Sequence, residues 1–398
     1  MSMYRRRLLM YQTLMNKSGN IVYPGLIAAW SAKGKTNDDA DRATLKDLTG
    51  NGHDITLNGF AFSKMSGYGG YNVGKNNGWD AYIDWQKKYD LYEFSHNKIH
   101  IKGCKSSWGI LKSTLASNCV WESFKIKLTR NKPSIKIQYR YIDETGTIRE
   151  NNYLKDGINI IPKSYNLKEG SNNSILEIFG FTTFYTDPDF ECTIELLPEY
   201  PDALVFDGVD DYGVNENMPV LTDYTIIAKR YRIGDKGCVI AKTGYPTSLD
   251  NNNWDFILEG GSDYTSSTWS LSVSNKKNII SEDITFQTKN SYNGETISYL
   301  SSYKGKANCL TIGKLHPNDS RLLRGAFYSA YLFDRSLDEQ EIKSFIRKYI
   351  DPEYLLPSEI PTPDCYYDFS KGSNDDENRD TIKDYSGNGN DAVAHNFA

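Results

Sequence analysis

The stretch Asp47-Leu-Thr-Gly-Asn-Gly-His-Asp-Ile-Thr-Leu-Asn-Gly-Phe-Ala61 decides the fold of this chain, because it occurs twice. It returns as Asp384-Tyr-Ser-Gly-Asn-Gly-Asn-Asp-Ala-Val-Ala-His-Asn-Phe-Ala398. The match extends back without a gap to Asn37 and Asn374, and about half of the aligned positions are identical. A repeat of this kind indicates a modular protein. We therefore expect each copy to open a β domain, and we expect the second domain to continue in a longer protein.

The residues around the first copy have the pattern of a β domain. An aromatic strand is predicted over Leu26–Trp30, and a second strand is predicted over residues 54–62, where apolar and polar residues alternate. Between them, Gly50-Asn51-Gly52 supplies residues that accept the positive φ angles of a tight turn. The first module is predicted to begin at Gly25 and to continue to residue 85.

Composition and charge exclude several classes of protein. The chain has 398 residues, enough for two or more domains with their own cores. Aromatic residues make up 13% of it, with 29 Tyr and 31 Gly, which is typical of a protein rich in strands and turns. The formal net charge of −5 argues against a nucleic-acid partner, which requires a basic footprint. No run of 18 apolar residues occurs, so no membrane insertion is expected.

Residues 1–24 are predicted to form an anchoring arm. They carry Arg5, Arg6 and Arg7, followed by Leu8 and Leu9, and they contain no acidic side chain. Such a segment either orders on a partner or is a frayed terminus. Its apolar part is interrupted and no small-x-small cleavage site follows, so no secretion signal is expected. The cysteines are scattered singly, which predicts free thiols in a protein assembled in the cytoplasm.

Residues 86–201 differ from the module before them, because they form a run of short alternating strands separated by charged turns. Even spacing without a helix signal predicts a small antiparallel sandwich, closed by Pro198 and Pro201. The predicted strands are Lys98–Ile101, Phe124–Leu128, Ser134–Tyr141, Ile158–Ile161, Ile175–Phe179 and Cys192–Leu196.

Residues 202–350 return to longer strands and end in one short helix. Ser336 and Glu339 are predicted to form a capping box, and Pro352 prevents the helix from continuing. A proline-rich linker over 351–363 then leads to the second copy in 364–398. The predicted strands are Ala203–Gly213, Thr225–Tyr231, Cys238–Ala241, Trp254–Leu258, Trp269–Val273 and Ala326–Phe333, and the predicted helix face is Ile342, Phe345, Ile346 and Tyr349.

These motifs together resemble the laminin-G-like, concanavalin-A-like jelly roll of bacteria and their phages. The resemblance is carried by Trp30, the Asp47–Asp54 turn, the phrase Leu204-Val-Phe-Asp-Gly-Val-Asp-Asp-Tyr212 and the tail Leu332-Phe-Asp-Arg-Ser-Leu337 with Glu341-Ile342. It implies an all-β jelly-roll sandwich. In that family the turn and the Phe-Asp-Gly strand lie close in sequence, whereas here some 140 residues separate them.

This departure predicts a discontinuous domain made of residues 25–85 and 202–350, with 86–201 inserted as a second β-sandwich. About 60 residues cannot complete a sandwich of the usual hundred or more. The strands over 26–62 should therefore pair with strands after residue 203, and the two ends of the insertion should lie close together.

More narrowly, the start Met3-Tyr-Arg-Arg-Arg-Leu-Leu-Met10 beside lectin-like modules resembles virion proteins of phages that infect Bacteroidetes gut bacteria, the crAss-like group among them. The resemblance implies a head-fibre, tail-fibre or capsid-decoration protein located in the virion. Expected partners are other virion proteins (capsid, portal or tail) through the arm, further copies of the chain in a homo-oligomer, and host surface polysaccharide.

An enzymatic function is not expected. The jelly-roll glucanases place their acid and nucleophile on one strand as Glu-x-Asp-x-x-Glu, and no such string occurs. Glu191 and Glu195 come nearest, but the middle Asp is missing and they lie in the insertion. The alternatives are a glycan-degrading enzyme or its carbohydrate-binding module, which predicts two facing carboxylates in a groove, and a bacterial surface adhesin, which requires export.

Two loops have a composition suited to sugar binding, with aromatic rings beside amide groups that fork onto hydroxyl pairs. For each aromatic residue, packing in the core is the competing interpretation. The candidates are Tyr68, Tyr71, Asn76, Asn77 and Trp79 in the first loop, and Asn251, Asn252, Asn253, Trp254 and Tyr264 in the second.

No cofactor is expected, although Asp207, Asp210 and Asp211 are candidate Ca²⁺ ligands because hard cations bind clustered carboxylates. The competing and favoured interpretation is that they are turn formers that bind their own backbone.

Overall fold

The structure is a computed structural model. It describes residues 20–71, 89–94, 97–104, 109–112, 122–165, 180–183, 186–232, 237–244, 254–258, 282–288, 291–292, 295–296, 307–315, 322–355, 380–384 and 389–393. The chain divides into two compact units, Met1–Ser336 and Leu337–Ala398. Strands dominate the described residues, so the predicted all-β class is confirmed at that level. No described helix is long and apolar enough to cross a membrane.

The first unit contains two large sheets in which every pair of strands is antiparallel. The eight-stranded sheet has the order β21 (Glu295–Thr296), β20 (Ser291–Tyr292), β19 (Glu282–Thr288), β16 (Thr225–Arg232), β23 (Arg324–Phe333), β14 (Leu204–Asp207) and β4 (Gly67–Tyr68), with β1 (Leu26–Ser31) also on β23. The six-stranded sheet has the order β18 (Trp254–Leu258), β17 (Ile240–Thr243), β22 (Cys309–Ile312), β15 (Tyr212–Asn215), β3 (Ile55–Asn58) and β2 (Thr44–Leu45).

One hydrophobic core joins these two sheets into a sandwich. Trp30, Phe206 and Phe327 come from the eight-stranded sheet and lie in the same buried cluster as Phe256 and Leu310 of the six-stranded sheet. All five side chains are at most 1% exposed. Their positions follow from the alternation of side chains along each strand, which sends every second residue into the core.

The predicted pairing between the two distant segments is observed. β1 pairs with β23, β3 pairs with β15, and β4 pairs with β14. β23 lies at the centre, because β16 follows it on one side while β14 and β1 share its other side. The sequence around the first copy therefore completes a sandwich whose remaining strands come from residues after 203.

Residues between these segments form a second pair of antiparallel sheets with their own core. Ile126 and Ile194 of the larger sheet share a buried cluster with Ile137 of the smaller one. The five-stranded sheet has the order β11 (Gly157–Ile161), β8 (Phe124–Arg130), β13 (Asp187–Leu197), β6 (Lys98–Cys104) and β5 (Tyr89–Phe94), and the four-stranded sheet has the order β10 (Ile148–Tyr153), β9 (Ile137–Ile142), β12 (Gly180–Thr183) and β7 (Gly109–Lys112). The strands predicted over 175–179 and 269–273 lie outside the described residues.

The chain segments before and after the insertion meet at residues 69–70 and 199–200, whereas the predicted boundary at residue 86 lies outside the described residues. Glu199 N donates to Gly70 O at 2.9 Å, and Tyr200 N donates to Gly69 O at 2.9 Å. Both glycines have positive φ angles, and a Cβ on Gly70 would lie 3.0 Å from Val205 and 3.2 Å from Tyr200. This close approach of two chain segments requires glycine.

The second unit contains the helix α1 (Glu339–Tyr349) and the hairpin β24 (Thr381–Ile382) and β25 (Ala392–Val393). The predicted helix face is observed, since Ile342, Phe345 and Ile346 are buried. The predicted N-cap is wrong, because the capping box is formed by Asp338 and Glu341.

Ser336, the predicted cap, is engaged elsewhere. Its Oγ donates to one carboxylate oxygen of Asp223 at 2.6 Å, and its backbone N donates to the other at 2.9 Å. The sequence Asp338-Glu-Gln-Glu341 repeats the capping pattern two residues later, so the helix begins there.

Candidate functional site

In the first copy, the repeated turn Asp47–Asp54 is hydrogen-bonded to the outer edge of β1, and we call this turn the latch. The carboxylate of Asp47 accepts hydrogen bonds from Ala29 N at 3.1 Å, Thr49 N at 3.0 Å and His53 N at 3.1 Å. In addition, Leu48 N donates to Ala29 O at 2.7 Å. The latch therefore satisfies the outward backbone groups of Ala29, which a strand at a sheet edge otherwise leaves unpaired.

Other residues of the same turn extend the latch. Asn51 Nδ2 and Thr49 Oγ1 both donate to Ile27 O, at 2.8 and 3.2 Å. The indole Nε1 of the buried Trp30 donates to His53 O at 2.7 Å. Asp54 closes the base of the turn by accepting from Asp47 N at 2.8 Å.

The second copy forms the same local structure. Asp384 N donates to Asp391 Oδ1 at 2.8 Å, and Asn390 N donates to Asp384 Oδ2 at 2.9 Å. The pairing of Thr381 with Val393 in β24 and β25 corresponds position by position to the pairing of Thr44 with Thr56 in β2 and β3. The repeat is thus conserved in structure as well as in sequence. The polar side chains of the motif are hydrogen-bonded to backbone groups, so the motif stabilises the fold and is not a ligand site.

The three aspartates predicted as Ca²⁺ ligands do lie together. Asp207, Asp210 and Asp211 each offer a carboxylate oxygen within 4.8 Å of the others. Asp211 is fully buried and accepts from Ser66 Oγ at 2.8 Å and from Asp207 N at 3.0 Å. Asp207 accepts from Val209 N at 2.7 Å, as a turn former does.

Burial decides the charge of Asp211. Removal from water raises the pKa of its carboxyl to about 7, and the neighbouring carboxylates of Asp207 and Asp210 act in the same direction. The two hydrogen bonds that Asp211 accepts oppose this shift. A cation bound by the three carboxylates would favour the ionised form instead. The cluster suits both a cation and a hydrogen-bonded turn, and the protein donors to Asp207 and Asp211 favour the turn.

The structure places the two tyrosines of the first candidate sugar loop in cores, which corrects the expectation that they bind glycan. Tyr68 is 2% exposed, and its backbone N and O are held by the buried side chain of Asn37. Tyr71 is 8% exposed and belongs to the core of the inserted sandwich. Neither ring offers a face to a sugar.

Of the other predicted sugar-binding and anchoring residues, the described ranges include Trp254 alone. Trp254 opens β18, the edge strand of the six-stranded sheet. The remaining candidates lie outside the described residues: Asn76, Asn77, Trp79, Asn251, Asn252, Asn253 and Tyr264, and Arg5, Arg6, Arg7, Leu8 and Leu9 of the arm.

Sequence reasoning missed an aromatic cluster on the outer face of the eight-stranded sheet. Tyr200, Tyr231 and Tyr328 are half-buried around a small apolar patch that contains Val205 and Ala326. The rings of Tyr200 and Tyr231 are 5.1 Å apart and tilted by 51°. We call these three residues the tyrosine cluster. No sequence signal joins them, because they come from three strands or strand ends that are distant along the chain.

A cation lies against the tyrosine cluster. Lys229 Nζ is 5.3 Å from the centre of the Tyr328 ring, a cation–π geometry. Burial raises the pKa of Tyr200, so its hydroxyl is neutral and available as a hydrogen-bond donor. Aromatic rings, hydroxyl groups and an ammonium group together have the chemistry of a surface that binds saccharides.

Glu191, one of the two glutamates considered for catalysis, is bonded to a histidine. Glu191 Oε1 is 2.9 Å from His100 Nε2, and Glu93 Oε2 is 3.0 Å from Nδ1 of the same ring. Hydrogen bonds to Glu93 and then to Glu191 raise the pKa of His100. Glu195 lies four residues from Glu191 along β13, so their Cα atoms are about 13 Å apart at the usual rise per residue.

The described cysteines are free thiols, as predicted. Cys104, Cys192, Cys238 and Cys309 are all buried. Burial raises the pKa of Cys192 strongly and that of Cys309 to about 12. These four thiols are therefore packing residues rather than nucleophiles.

No protein-family model matches the chain, and no curated protein matches it at a significant level.

Proposed function

We propose that this chain is a non-enzymatic structural and adhesive protein of a phage virion, of the head-fibre, tail-fibre or capsid-decoration type. In this proposal the first sandwich is a laminin-G-like, concanavalin-A-like jelly roll that contacts host surface glycans. The observation that carries the proposal is the repeated turn, because two of its hydrogen bonds recur in both compact units. A repeated β module is typical of a modular protein.

The arrangement of the strands supports the jelly-roll assignment. The phrase that carries the resemblance forms β14 and β15, which lie in opposite sheets of the sandwich. Leu332 and Phe333, the first two residues of the tail motif, are the last two residues of β23, the central strand of the larger sheet. These positions are compatible with a jelly roll.

The tyrosine cluster supports the adhesive part of the proposal. Sugar rings stack on half-exposed aromatic faces, and neighbouring hydroxyl and ammonium groups bind the sugar hydroxyls or acidic substituents. Tyr200 also lies at the junction of the two sandwiches, where its backbone N donates to Gly69 O. Ligand sites form preferentially at such junctions.

The adhesive part is tested by binding to surface polysaccharides purified from Bacteroidetes strains. We expect the wild-type chain to bind at least one capsular polysaccharide, and we expect Tyr200→Ala with Tyr231→Ala to weaken that binding about tenfold or more, equivalent to ~1.4 kcal/mol. Tyr165→Ala is the matched control, since Tyr165 is 37% exposed and has Lys163 over its ring.

Two results would count against this assignment. One is equal binding by the wild type and the double variant, which would move the site to the remaining sequence candidates Asn76, Asn77 and Trp79, or Asn251, Asn252, Asn253, Trp254 and Tyr264. The other is release of reducing sugar by the wild type that is lost in Glu191→Gln or Glu195→Gln, which would favour the glycan-degrading alternative.

A further inference from the structure

The strand β11 has the features of an unprotected sheet edge. Among the described residues it pairs only with β8, in a regular register without a bulge. Its sequence, Gly-Ile-Asn-Ile-Ile, contains no charged residue and no proline. Proteins normally protect sheet edges with lysine, proline, bulges or covering loops, because an open edge is a template for another strand.

The other edge strands of at least four residues that the structure describes are protected. β1 is covered by the Asp47 latch at Ile27 and Ala29. β5, β7, β10 and β18 each contain at least one charged residue. Among the edge strands of this length that the structure describes, β11 alone has neither a charged residue nor a covering turn, and its Asn159 side chain is bonded only to the backbone of Lys155 and Gly157 at the start of the same strand.

β11 also carries two exposed apolar side chains. Ile158 and Ile160 are 67% and 65% exposed and lie on the same outer face of the strand. Lys127 and Lys125 are their partners across β8. These two exposed isoleucines form an apolar stripe at the edge of the sheet. A similar stripe on another strand could pack beside it.

We propose that β11 pairs antiparallel with β11 of a second copy of this chain, centred on Asn159. In that register Ile158 lies opposite Ile160 of the other copy, and Ile160 lies opposite its Ile158. The strand is therefore self-complementary, as a twofold interface requires. The pairing joins the two five-stranded sheets into one continuous sheet and places four isoleucines side by side on its outer face.

Charged residues lie at both ends of β11. Asp156, before the strand, is bonded to Arg130 at 2.7 Å, and Lys163, after it, is bonded to Glu122 at 2.8 Å. Antiparallel pairing brings the first ion pair of one copy beside the second ion pair of the other. It also brings Lys155 opposite Lys163 of the other copy, so each end of the interface carries one excess positive charge, which weakens the association.

The proposed interface is small. One pair of five-residue strands covers much less than the ~1,600 Å² of a standard stable interface. The proposed dimer is therefore a weak one, which becomes stable where many copies are held close together. This inference is independent of the proposed virion function, because it rests on the strand edge alone.

Sedimentation velocity over micromolar to sub-millimolar concentrations tests the pairing. We expect the wild type to dimerise reversibly and Ile158→Lys with Ile160→Lys to weaken the dimer at least tenfold. Val209→Lys is the matched control, because Val209 is a 71% exposed apolar residue in a turn of the other sandwich. A wild type that stays monomeric, or equal weakening by both variants, would overturn the proposal.

Disulfide cross-linking tests the register without disrupting the edge. In a background with Cys119→Ser and Cys365→Ser, Ile158→Cys mixed with Ile160→Cys should give a cross-linked heterodimer, because directly opposed Cβ atoms are about 4.5–5.5 Å apart. Each variant alone should cross-link at least tenfold less. Equal cross-linking in all three samples, or none in the mixture, contradicts the centred register. Hydrogen exchange of the β11 amides gives a further check. If these amides are protected only when a different protein is added, the edge binds that protein and the proposed pairing between two copies is wrong.

Discussion

Replacing the aspartate of the latch tests the physical role of the repeated turn. Asp47→Ala removes the acceptor of three backbone N–H groups, those of Ala29, Thr49 and His53. The Ala29 amide lies in a buried strand, so its loss costs about 1–3 kcal/mol, whereas the two amides of the turn regain water and lose about 0.5–1.5 kcal/mol each. We expect the free energy of unfolding to fall by about 3 kcal/mol, a large share of the usual 5–15 kcal/mol.

Urea unfolding followed by tryptophan fluorescence is the assay, since the indole of Trp30 donates to His53 O and reports on the latch directly. Asp384→Ala is the matched control in the second unit, and it should leave the main transition within about 0.5 kcal/mol of the wild type. A loss below about 1 kcal/mol for Asp47→Ala, or an equal loss for Asp384→Ala, would refute the latch as a determinant of the first sandwich.

Three further predictions concern the buried carboxylate, calcium and the insertion. Because the pKa of Asp211 is about 7 in the folded chain and its ordinary value is 3.8, the folded state holds the proton more tightly. Stability should therefore fall as the pH rises from about 4 to about 7, by up to about 4 kcal/mol, and urea titrations should show this slope in the wild type but not in Asp211→Asn. Millimolar calcium above neutral pH should leave the Tm unchanged, because Asp207 and Asp211 already accept protein donors; a rise that Asp211→Asn lacks would assign a metal site. Excision of residues 71–198 with a short glycine linker between Gly70 and Glu199 should leave a cooperatively unfolding sandwich, and a broad, non-cooperative melt in circular dichroism would contradict the independence of the insertion.

Local alternation and the repeat predicted most of the backbone framework. Residues 124–128 alternate between apolar and lysine, and β8 buries Phe124, Ile126 and Leu128 accordingly. The shortage of strands before residue 85 predicted pairing with the distant segment, because a half-sandwich would expose its apolar face at about 25 cal/mol per Å². The pairing of β1 with β23 satisfies that requirement.

Contacts between distant side chains decided what the sequence could not predict. Ser336 has the same local pattern as a helix cap, yet its partner is Asp223, more than a hundred residues earlier. Tyr68 has the composition of a sugar loop around it, but the buried Asn37 holds its backbone in the core. The tyrosine cluster has no local signal, because sheet order alone brings its members together.

Immunogold labelling of purified virions tests the central claim most directly. Antibodies raised against the purified chain are applied to phage particles and to cell fractions from a culture that carries the gene. The account predicts labelling at regular positions on the head or the tail, together with recovery of the chain from purified particles by mass spectrometry. Recovery of the chain in bacterial cell fractions alone, with unlabelled particles, would contradict it.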